Sequence, residues 1–221
     1  AKLELQEPEG QGTVDPKPDE PVDPTPVVSE LGTLTEVWHY STKKNNLPGW
    51  FNTDNFTRSA VVLGDKVIVA NCKAWGTPVI NAVTADNNAT ASAVNVTGIA
   101  GGTFALGSVD AYKGQLYASN VAISTQTFTV YRWKNGLDQA PEVALKVANP
   151  VVPLGDNMCI SNDRIGVAGT NGTTISVVWF QLNADGSINP NPNVIVTACK
   201  NLGSRSATSV VFEKDGSFWL N

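Results

Sequence analysis

Aromatic residues in Gly/Pro-rich loops are the side chains of this sequence best suited to recognising a ligand. Trp50 and Phe51 directly follow Pro48-Gly49, and Trp75 lies in the loop 73–78. Flat rings present an apolar face on which a sugar ring or a partner's side chain can stack, and loop aromatics often serve recognition. The alternative is that each loop packs back on its own sheet, which leaves the rings a structural role.

Polar residues at a fixed spacing provide a second candidate ligand site. Arg58, Gly107, Asp156 and Arg205 are each 49 residues apart. If the first strand of each repeat lines a central channel, these residues lie along it, and channel ends are common binding places. The sequence therefore predicts two ligand-binding sets, the loop aromatics and the two channel arginines.

Catalytic or metal-binding chemistry has little support in the sequence. The single histidine, His39, lies in an apparent strand, and no G-x-S-x-G elbow accompanies it, so a structural histidine is the better interpretation. Cys72, Cys159 and Cys199 have no metal-ligand spacing and are interpreted as small buried residues in strands. We predict no catalytic residue, no metal site and no cofactor.

The composition narrows the class of protein. The 221 residues carry a net charge of -5, and Lys and Arg are scattered, which argues against nucleic-acid binding. No apolar run reaches the ~18 residues of a membrane span. Charged residues make up only 16%, while glycine (19) and proline (13) are plentiful, a mixture that favours many short strands joined by tight turns.

Residues 1–33 differ from the rest of the chain. They are acidic and rich in proline, with prolines at positions 16, 18, 21, 24 and 26 and almost no large apolar side chains. Such a segment cannot bury enough surface to offset its ordering entropy and should form an extended, semi-rigid spacer. We predict a disordered tether that holds the following domain away from an anchor point.

From residue 34 onward the chain repeats with a period of about 49 residues. Val67, Leu116 and Ile165 are each 49 apart and each follows a tight-turn signal. Each repeat contains four β-branched or aromatic segments, and 40–50-residue units of four strands are typical of β-propeller blades. We predict an all-β propeller domain over 34–221, with four-stranded antiparallel blades at 58–106, 107–155 and 156–204, a partial blade at 205–221, and a possible ring-closing strand at 34–41. The ring is incomplete in this chain.

The acidic tether, the Asn-rich repeats and the run from Arg58 to Val69 resemble a family of Bacteroidota cell-surface lipoproteins with an uncharacterised β-propeller domain. The resemblance implies a lipidated cysteine just upstream of Ala1 and an outer-membrane, cell-surface location. It also implies that the protein acts beside a SusC/SusD-type outer-membrane importer.

Two main functional classes follow. The first is a non-catalytic accessory lipoprotein that binds glycan or peptide nutrients, docks on the importer, or does both. The second is a propeller glycoside hydrolase or lyase whose acids lie partly in missing blades. A structural adhesion module, which would bind no small ligand, is a third possibility.

Overall fold

The computed structural model describes residues 48, 51, 57–73, 77–84, 90–198, 204–205 and 208–220. Every regular element in these ranges is a β-strand, and none of their segments forms a helix able to cross a membrane. The prediction of an all-β fold is confirmed. Several predicted features lie outside the described residues: the tether 1–33, the segment 34–41, His39, Trp50, Trp75 and Cys199.

The strands form three four-stranded antiparallel sheets and one hairpin. Sheet 1 consists of β1 (Thr57–Leu63), β2 (Lys66–Lys73), β3 (Thr77–Thr84) and β4 (Ala91–Ala93). Sheet 2 consists of β5 (Phe104–Tyr112), β6 (Gln115–Val121), β7 (Thr127–Trp133) and β8 (Glu142–Ala148). Sheet 3 consists of β9 (Met158–Ser161), β10 (Arg164–Asn171), β11 (Thr174–Gln181) and β12 (Asn193–Ala198), and the short β13 (Ser204–Arg205) pairs with the far end of β10. The terminal hairpin consists of β14 (Val210–Phe212) and β15 (Phe218–Leu220). The prediction of four short antiparallel strands per repeat is confirmed for these three sheets.

Tight turns join the first and second strands of the sheets. Lys113 and Gly114 have φ angles of 46° and 76°, and Asn162 and Asp163 have 49° and 58°. Two consecutive positive φ angles match the right-handed twist of the flanking strands, which is why Gly, Asn and Asp are favoured there. These turns were predicted from the sequence, and their geometry confirms the prediction.

Consecutive sheets pack against each other through apolar side chains. The second strands β2, β6 and β10 lie in three separate sheets, and they carry Val67, Leu116 and Ile165 at equivalent positions. Side chains alternate between faces along a strand, so Leu116 joins the core shared with sheet 1 while Tyr117 joins the core shared with sheet 3.

The strand aromatics fill these cores. Tyr131 and Trp133 pack between sheets 1 and 2, and Phe180 packs between sheets 2 and 3. Trp179 contacts Phe212 of the terminal hairpin, with ring centroids 5.6 Å apart. The large aromatic side chains of the strands therefore pack between neighbouring sheets.

The first strands contact one another in chain order, β1 with β5, β5 with β9 and β9 with β14. The segment entering sheet 3 lies directly on sheet 2, where only glycine fits. A Cβ on Gly107 would lie 2.2 Å from the carbonyl oxygen of Gly155, and a Cβ on Gly155 would lie 1.9 Å from that of Asn120. Gly155 also has a φ of 98°, which disfavours any other residue there.

The outer strands and the free face of the terminal hairpin are exposed. All six residues of β12 are exposed, including Val194, Ile195 and Val196. On the hairpin, Val211 and Trp219 are cross-strand partners, and Trp219 is 70% exposed. Val211 and Trp219 therefore form an exposed apolar patch on one face of the hairpin.

Candidate functional site

Arg58 and Asp156, two of the residues placed in register by the 49-residue period, meet in the structure. Arg58 lies in β1 and forms an ion pair with Asp156, which precedes β9. The Arg58 guanidinium also lies over the ring of Phe104 in β5, with its Cζ atom 4.4 Å from the ring centroid. The charge of Arg58 therefore connects segments of all three sheets. With side chains 15% and 24% exposed, the pair is largely turned inward.

Small hydroxyl side chains continue this contact between the first strands. The Ser59 hydroxyl donates to the carbonyl oxygen of Val109 at 3.1 Å. The Ser108 hydroxyl oxygen lies 3.4 Å from both the Ser59 hydroxyl and the carbonyl oxygen of Met158. These groups serve the junctions between sheets. Arg205, the other predicted channel arginine, is described only through its backbone, which pairs with Thr170.

Phe51 is the one predicted loop aromatic among the described residues. It is half-buried and packs against sheet 1, beside Val67, Val69 and Val83. Its backbone N–H donates to the carbonyl oxygen of Pro48 at 2.9 Å. The Phe51 side chain therefore packs on sheet 1.

A polar cavity of about 500 Å³ lies beside β7 and β8, under the connection from sheet 1 to sheet 2. We call it the polar pocket. Its lining consists of glycines, neutral polar residues and one lysine, with three apolar or aromatic side chains: Gly98, Ala100, Gly101, Gly102, Asn120, Gln126, Thr127, Thr129, Tyr131, Val143 and Lys146. Its volume falls within the range of small-molecule sites, about 300–1,000 Å³.

The connection that covers the pocket is held by hydrogen bonds from sheet 2. The Trp133 indole N–H donates to the carbonyl oxygen of Asn95 at 2.8 Å. The Tyr131 hydroxyl donates to the carbonyl oxygen of Ala100 at 2.9 Å and accepts from the Ala100 N–H at 3.1 Å. Gly101 and Gly102 both have positive φ, and a Cβ on Gly102 would lie 2.3 Å from the carbonyl oxygen of Val121. The wall of the pocket is thus fixed by backbone geometry.

The polar groups of the pocket divide into those that hold the fold and those left for a ligand. The Asn120 amide donates to the carbonyl oxygen of Thr127 and accepts from the Thr129 N–H, at 2.9 Å and 2.8 Å. Thr129 and Lys146 are cross-strand partners, so their side chains share one face of sheet 2. Neither side chain has a hydrogen bond or ion pair within the described part of the chain. Lys146 is exposed, and Thr129, although only 5% exposed, borders the cavity, so both can contact a ligand there.

An equivalent niche lies one repeat further along, and its lining is different. We call it the apolar groove; it is lined by Val147, Asn149, Pro150, Val151, Leu154, Val178, Pro192 and Val194 and encloses about 150 Å³. Six of these residues lie 49 positions after residues of the polar pocket: 147, 149, 150, 151, 178 and 192 correspond to 98, 100, 101, 102, 129 and 143. The cross-strand partner of Thr129 is Lys146, whereas the cross-strand partner of the corresponding Val178 is Val194. The repeat therefore does not require a polar lining at this position.

The titratable groups at the opposite end of the first strands are engaged within the fold. Asp110 in β5 accepts from the backbone N–H of Ile160 in β9 at 2.5 Å and from that of Ala111 at 2.7 Å. Burial raises the pKa of Asp110, and the two hydrogen bonds oppose that rise. Burial, and then the nearby Asp110 charge, raise the pKa of the Cys159 thiol, which keeps it protonated and unreactive. Within the described ranges no three His, Cys, Asp or Glu side chains are grouped as a metal ion would need.

The polar pocket was not predicted from the sequence. A signal was present in the repeat register. Residues 98–102 read Gly-Ile-Ala-Gly-Gly, whereas the corresponding 147–151 read Val-Ala-Asn-Pro-Val. A change from bulky residues to glycine at one copy of a repeat indicates space or close backbone approach at that copy.

Comparison with known proteins supports the fold. No protein-family model matches the chain, and no curated protein matches it. The structure is similar to that of a DUF4623 family protein from Bacteroides eggerthii DSM 20697, with a TM-score of 0.56, 18% identity and 76% of this chain covered. This chain covers 41% of that protein. A weaker likeness, with a TM-score of 0.41 and 12% identity, is to the computationally designed Ika4 protein, over 77% of this chain and 92% of that one. The chain thus shares the β fold of a Bacteroides protein at low sequence identity.

Proposed function

We propose that this chain is the ligand-binding part of a non-catalytic, lipid-anchored lipoprotein on the outer-membrane surface of a Bacteroidota cell. It captures glycan or peptide nutrients in the polar pocket and acts beside a SusC/SusD-type importer. The fold likeness to a Bacteroides protein supports the bacterial group, and the resemblance of the tether and repeats supports the location.

One observation carries the binding function: the polar pocket is open and polar where the same repeat position is small and apolar one sheet later. A niche that only served packing would be lined alike in both copies, since burial of apolar surface stabilises both junctions. Instead, Thr129 pairs with Lys146 where the corresponding Val178 pairs with Val194, and glycines replace Pro150 and Val151. The open polar lining is what a ligand that makes hydrogen bonds needs.

We also propose that sheets 1 to 3 and the terminal hairpin are consecutive blades of a β-propeller. Equivalent strands occupy separate sheets, and the first strands contact one another in chain order, as they do around a propeller axis. The exposed Val211 and Trp219 on the terminal hairpin would then take the next blade. Small-angle scattering of the full-length natural protein tests this arrangement, since a closed ring gives a compact, disc-like envelope and an open stack gives an elongated one.

Binding is tested by screening the purified chain against arrays of glycans and peptides, followed by titration calorimetry on each hit. Thr129→Val removes a pocket hydroxyl while keeping the shape of the side chain, and we expect it to weaken binding by about five- to tenfold. Val178→Thr makes the reverse change in the apolar groove and is the matched control, which should bind like the wild type.

Two results would count against the proposal. Equal binding by the wild type and Thr129→Val, or the same loss of affinity in Thr129→Val and Val178→Thr, would remove the polar pocket from consideration. Turnover of a bound glycan, detected by chromatography of the products, would instead support a hydrolase or lyase.

Docking on the importer is a separate part of the proposal, and the predicted loop aromatics are its candidates. Trp50→Ala and Trp75→Ala should weaken association with a purified SusC/SusD-type importer without changing glycan or peptide binding at the pocket. Association that survives both substitutions would move the docking surface elsewhere.

A further inference from the structure

We infer that the ligand of the polar pocket is an acidic sugar, a saccharide carrying a carboxylate or sulfate group, and that Lys146 receives that anionic group. This inference rests on the proposed binding function of the pocket and adds the ligand's chemical class. Lys146 is the charged residue among the described lining residues, which include no Asp or Glu. The chain as a whole carries a net charge of -5, so an unopposed cation facing a cavity is a local departure from its surroundings.

The position of Lys146 places its ammonium group beside neutral hydrogen-bonding groups. Thr129 lies directly across the strand pair from Lys146, and Thr127 and Gln126 line the same cavity. The side-chain amide oxygen of Gln126 already accepts from the Ile123 N–H and the Thr103 hydroxyl, both at 3.1 Å, so the amide N–H₂ of Gln126 is the group left to donate. A point cation next to hydroxyl and amide groups matches one anionic substituent on a polyhydroxyl body.

The apolar part of the lining fits a sugar ring. Val143 in β8 is 49% exposed, and Ala100 is exposed on the covering connection. Tyr131 is 4% exposed and its hydroxyl is held by Ala100, so it forms part of the cavity wall and leaves no free polar group there. Sugar rings combine an apolar face with a hydroxyl rim, so a small apolar area bordered by polar groups suits them.

An extended peptide fits the pocket less well. Peptides are commonly captured by pairing with the open edge of a sheet, where backbone groups supply the affinity. The polar pocket is lined by the glycines of the connection and by side chains on the face of sheet 2, of which Val143 and Lys146 come from its outer strand β8. The geometry therefore favours a compact, ring-shaped ligand.

Calorimetric titration with matched oligosaccharides tests the inference. The probes are oligosaccharides of one linkage in neutral, uronic-acid and sulfated forms, together with an acidic peptide of the same charge. We expect the acidic sugars to bind at least about tenfold more tightly than the neutral one, with affinity falling as salt rises. Lys146→Gln should abolish that preference, so that acidic and neutral sugars bind the variant with similar affinity. Lys134→Gln, at an exposed lysine outside the pocket lining, is the matched control.

The possible results are distinguishable. Neutral and acidic sugars that bind equally, with no effect of Lys146→Gln, would overturn the acidic-sugar inference and leave the proposed binding function standing. Binding of the acidic peptide in place of the sugars would overturn it as well. Failure of every probe and every array ligand to bind the wild type would contradict the proposed function itself. The relative affinity for uronic-acid and sulfated forms identifies the source of the anionic group.

Discussion

The junction between sheets 1 and 2 and the junction between sheets 2 and 3 follow one backbone plan with two different linings. Both bury large aromatic side chains, Trp133 in the first and Phe180 in the second. Beside those cores, the first junction opens into the polar pocket, whereas the second closes into the apolar groove. The comparison teaches that the repeat constrains the core of each junction and leaves the niche beside it free to acquire a separate role.

Truncating the core aromatics should have the largest effect, and an equal one at both junctions. Trp133 and Phe180 are 2% and 1% exposed. Replacing either by Ala should lower the free energy of unfolding by about 3–5 kcal/mol, because the lost contacts leave a cavity. Denaturant titration measures the change. Trp219→Ala, on the exposed face of the hairpin, should stay within about 0.5 kcal/mol. A small effect of Trp133→Ala alone would show that the two cores are not equivalent.

Loss of the Arg58–Asp156 ion pair should have the next largest effect on stability, since this pair links the two junctions. Arg58→Met removes the ion pair and the contact with Phe104 but keeps much of the side-chain volume. We expect a loss of about 2 kcal/mol, less than for a fully buried pair because both groups remain partly exposed. A double-mutant cycle with Asp156→Asn should give a coupling free energy of about 0.5–3 kcal/mol. Additive effects would mean that the pair contributes nothing to stability.

Exchanging side chains between the two niches should affect stability unequally. Val178→Thr places a hydroxyl in a side chain that is 5% exposed and packed in the core between sheets 2 and 3, at a cost of about 1–2 kcal/mol. Thr129→Val should change stability by less than about 0.5 kcal/mol, because its hydroxyl holds no part of the described fold. Thermal unfolding of the two variants side by side measures the difference. Equal losses would mean that the Thr129 hydroxyl is structural.

The smallest expected effect is a difference in the pH dependence of stability between two contacts, that of sheet 2 with sheet 3 and that of sheet 3 with the terminal hairpin. Asp110 accepts the Ile160 N–H between sheets 2 and 3, whereas the neutral Ser161 hydroxyl accepts the Phe212 N–H at 2.9 Å between sheet 3 and the hairpin. Burial raises the pKa of Asp110 in the folded state. The contribution of Asp110 to the free energy of unfolding is therefore fully present below the ordinary carboxyl pKa, and it is lost as pH rises through the raised value.

Melting temperatures of the wild type and Asp110→Asn, measured across the acidic range, test this dependence. The wild type should lose stability relative to the variant as pH rises through that window. Ser161→Ala should shift the melting temperature by the same amount at every pH. A wild-type advantage that grows with pH would mean that the hydrogen bonds, and not burial, dominate the Asp110 pKa.

The repeat and its strands were predictable because they are encoded locally. Gly114, Asn162 and Asp163 mark turns that need positive φ, and the aromatic segments between the turns mark buried strands. The spacing also placed Arg58 and Asp156 at equivalent positions, and the structure brings them into contact. That they satisfy each other was not predictable, since a shared register does not tell whether two side chains reach one another.

The polar pocket could not be predicted from local pattern, because it forms between elements distant in sequence. Gly98 and Lys146 line one cavity only because the connection folds back over β8. Thr129 alternates correctly in its strand and gives no sign of what it faces. The contrast between 98–102 and 147–151 becomes informative only once the two segments are known to occupy equivalent places.

The contact between Gly107 and Gly155 has a mechanical consequence. Two backbones that leave no room for a single methyl group cannot slide past each other, so this contact fixes the segment that leads into sheet 3 against sheet 2. Any relative motion of these two sheets must then be a change in the angle between them, which separates their outer strands. A small rotation about this contact displaces the outer strands β8 and β12 more than the strands next to it.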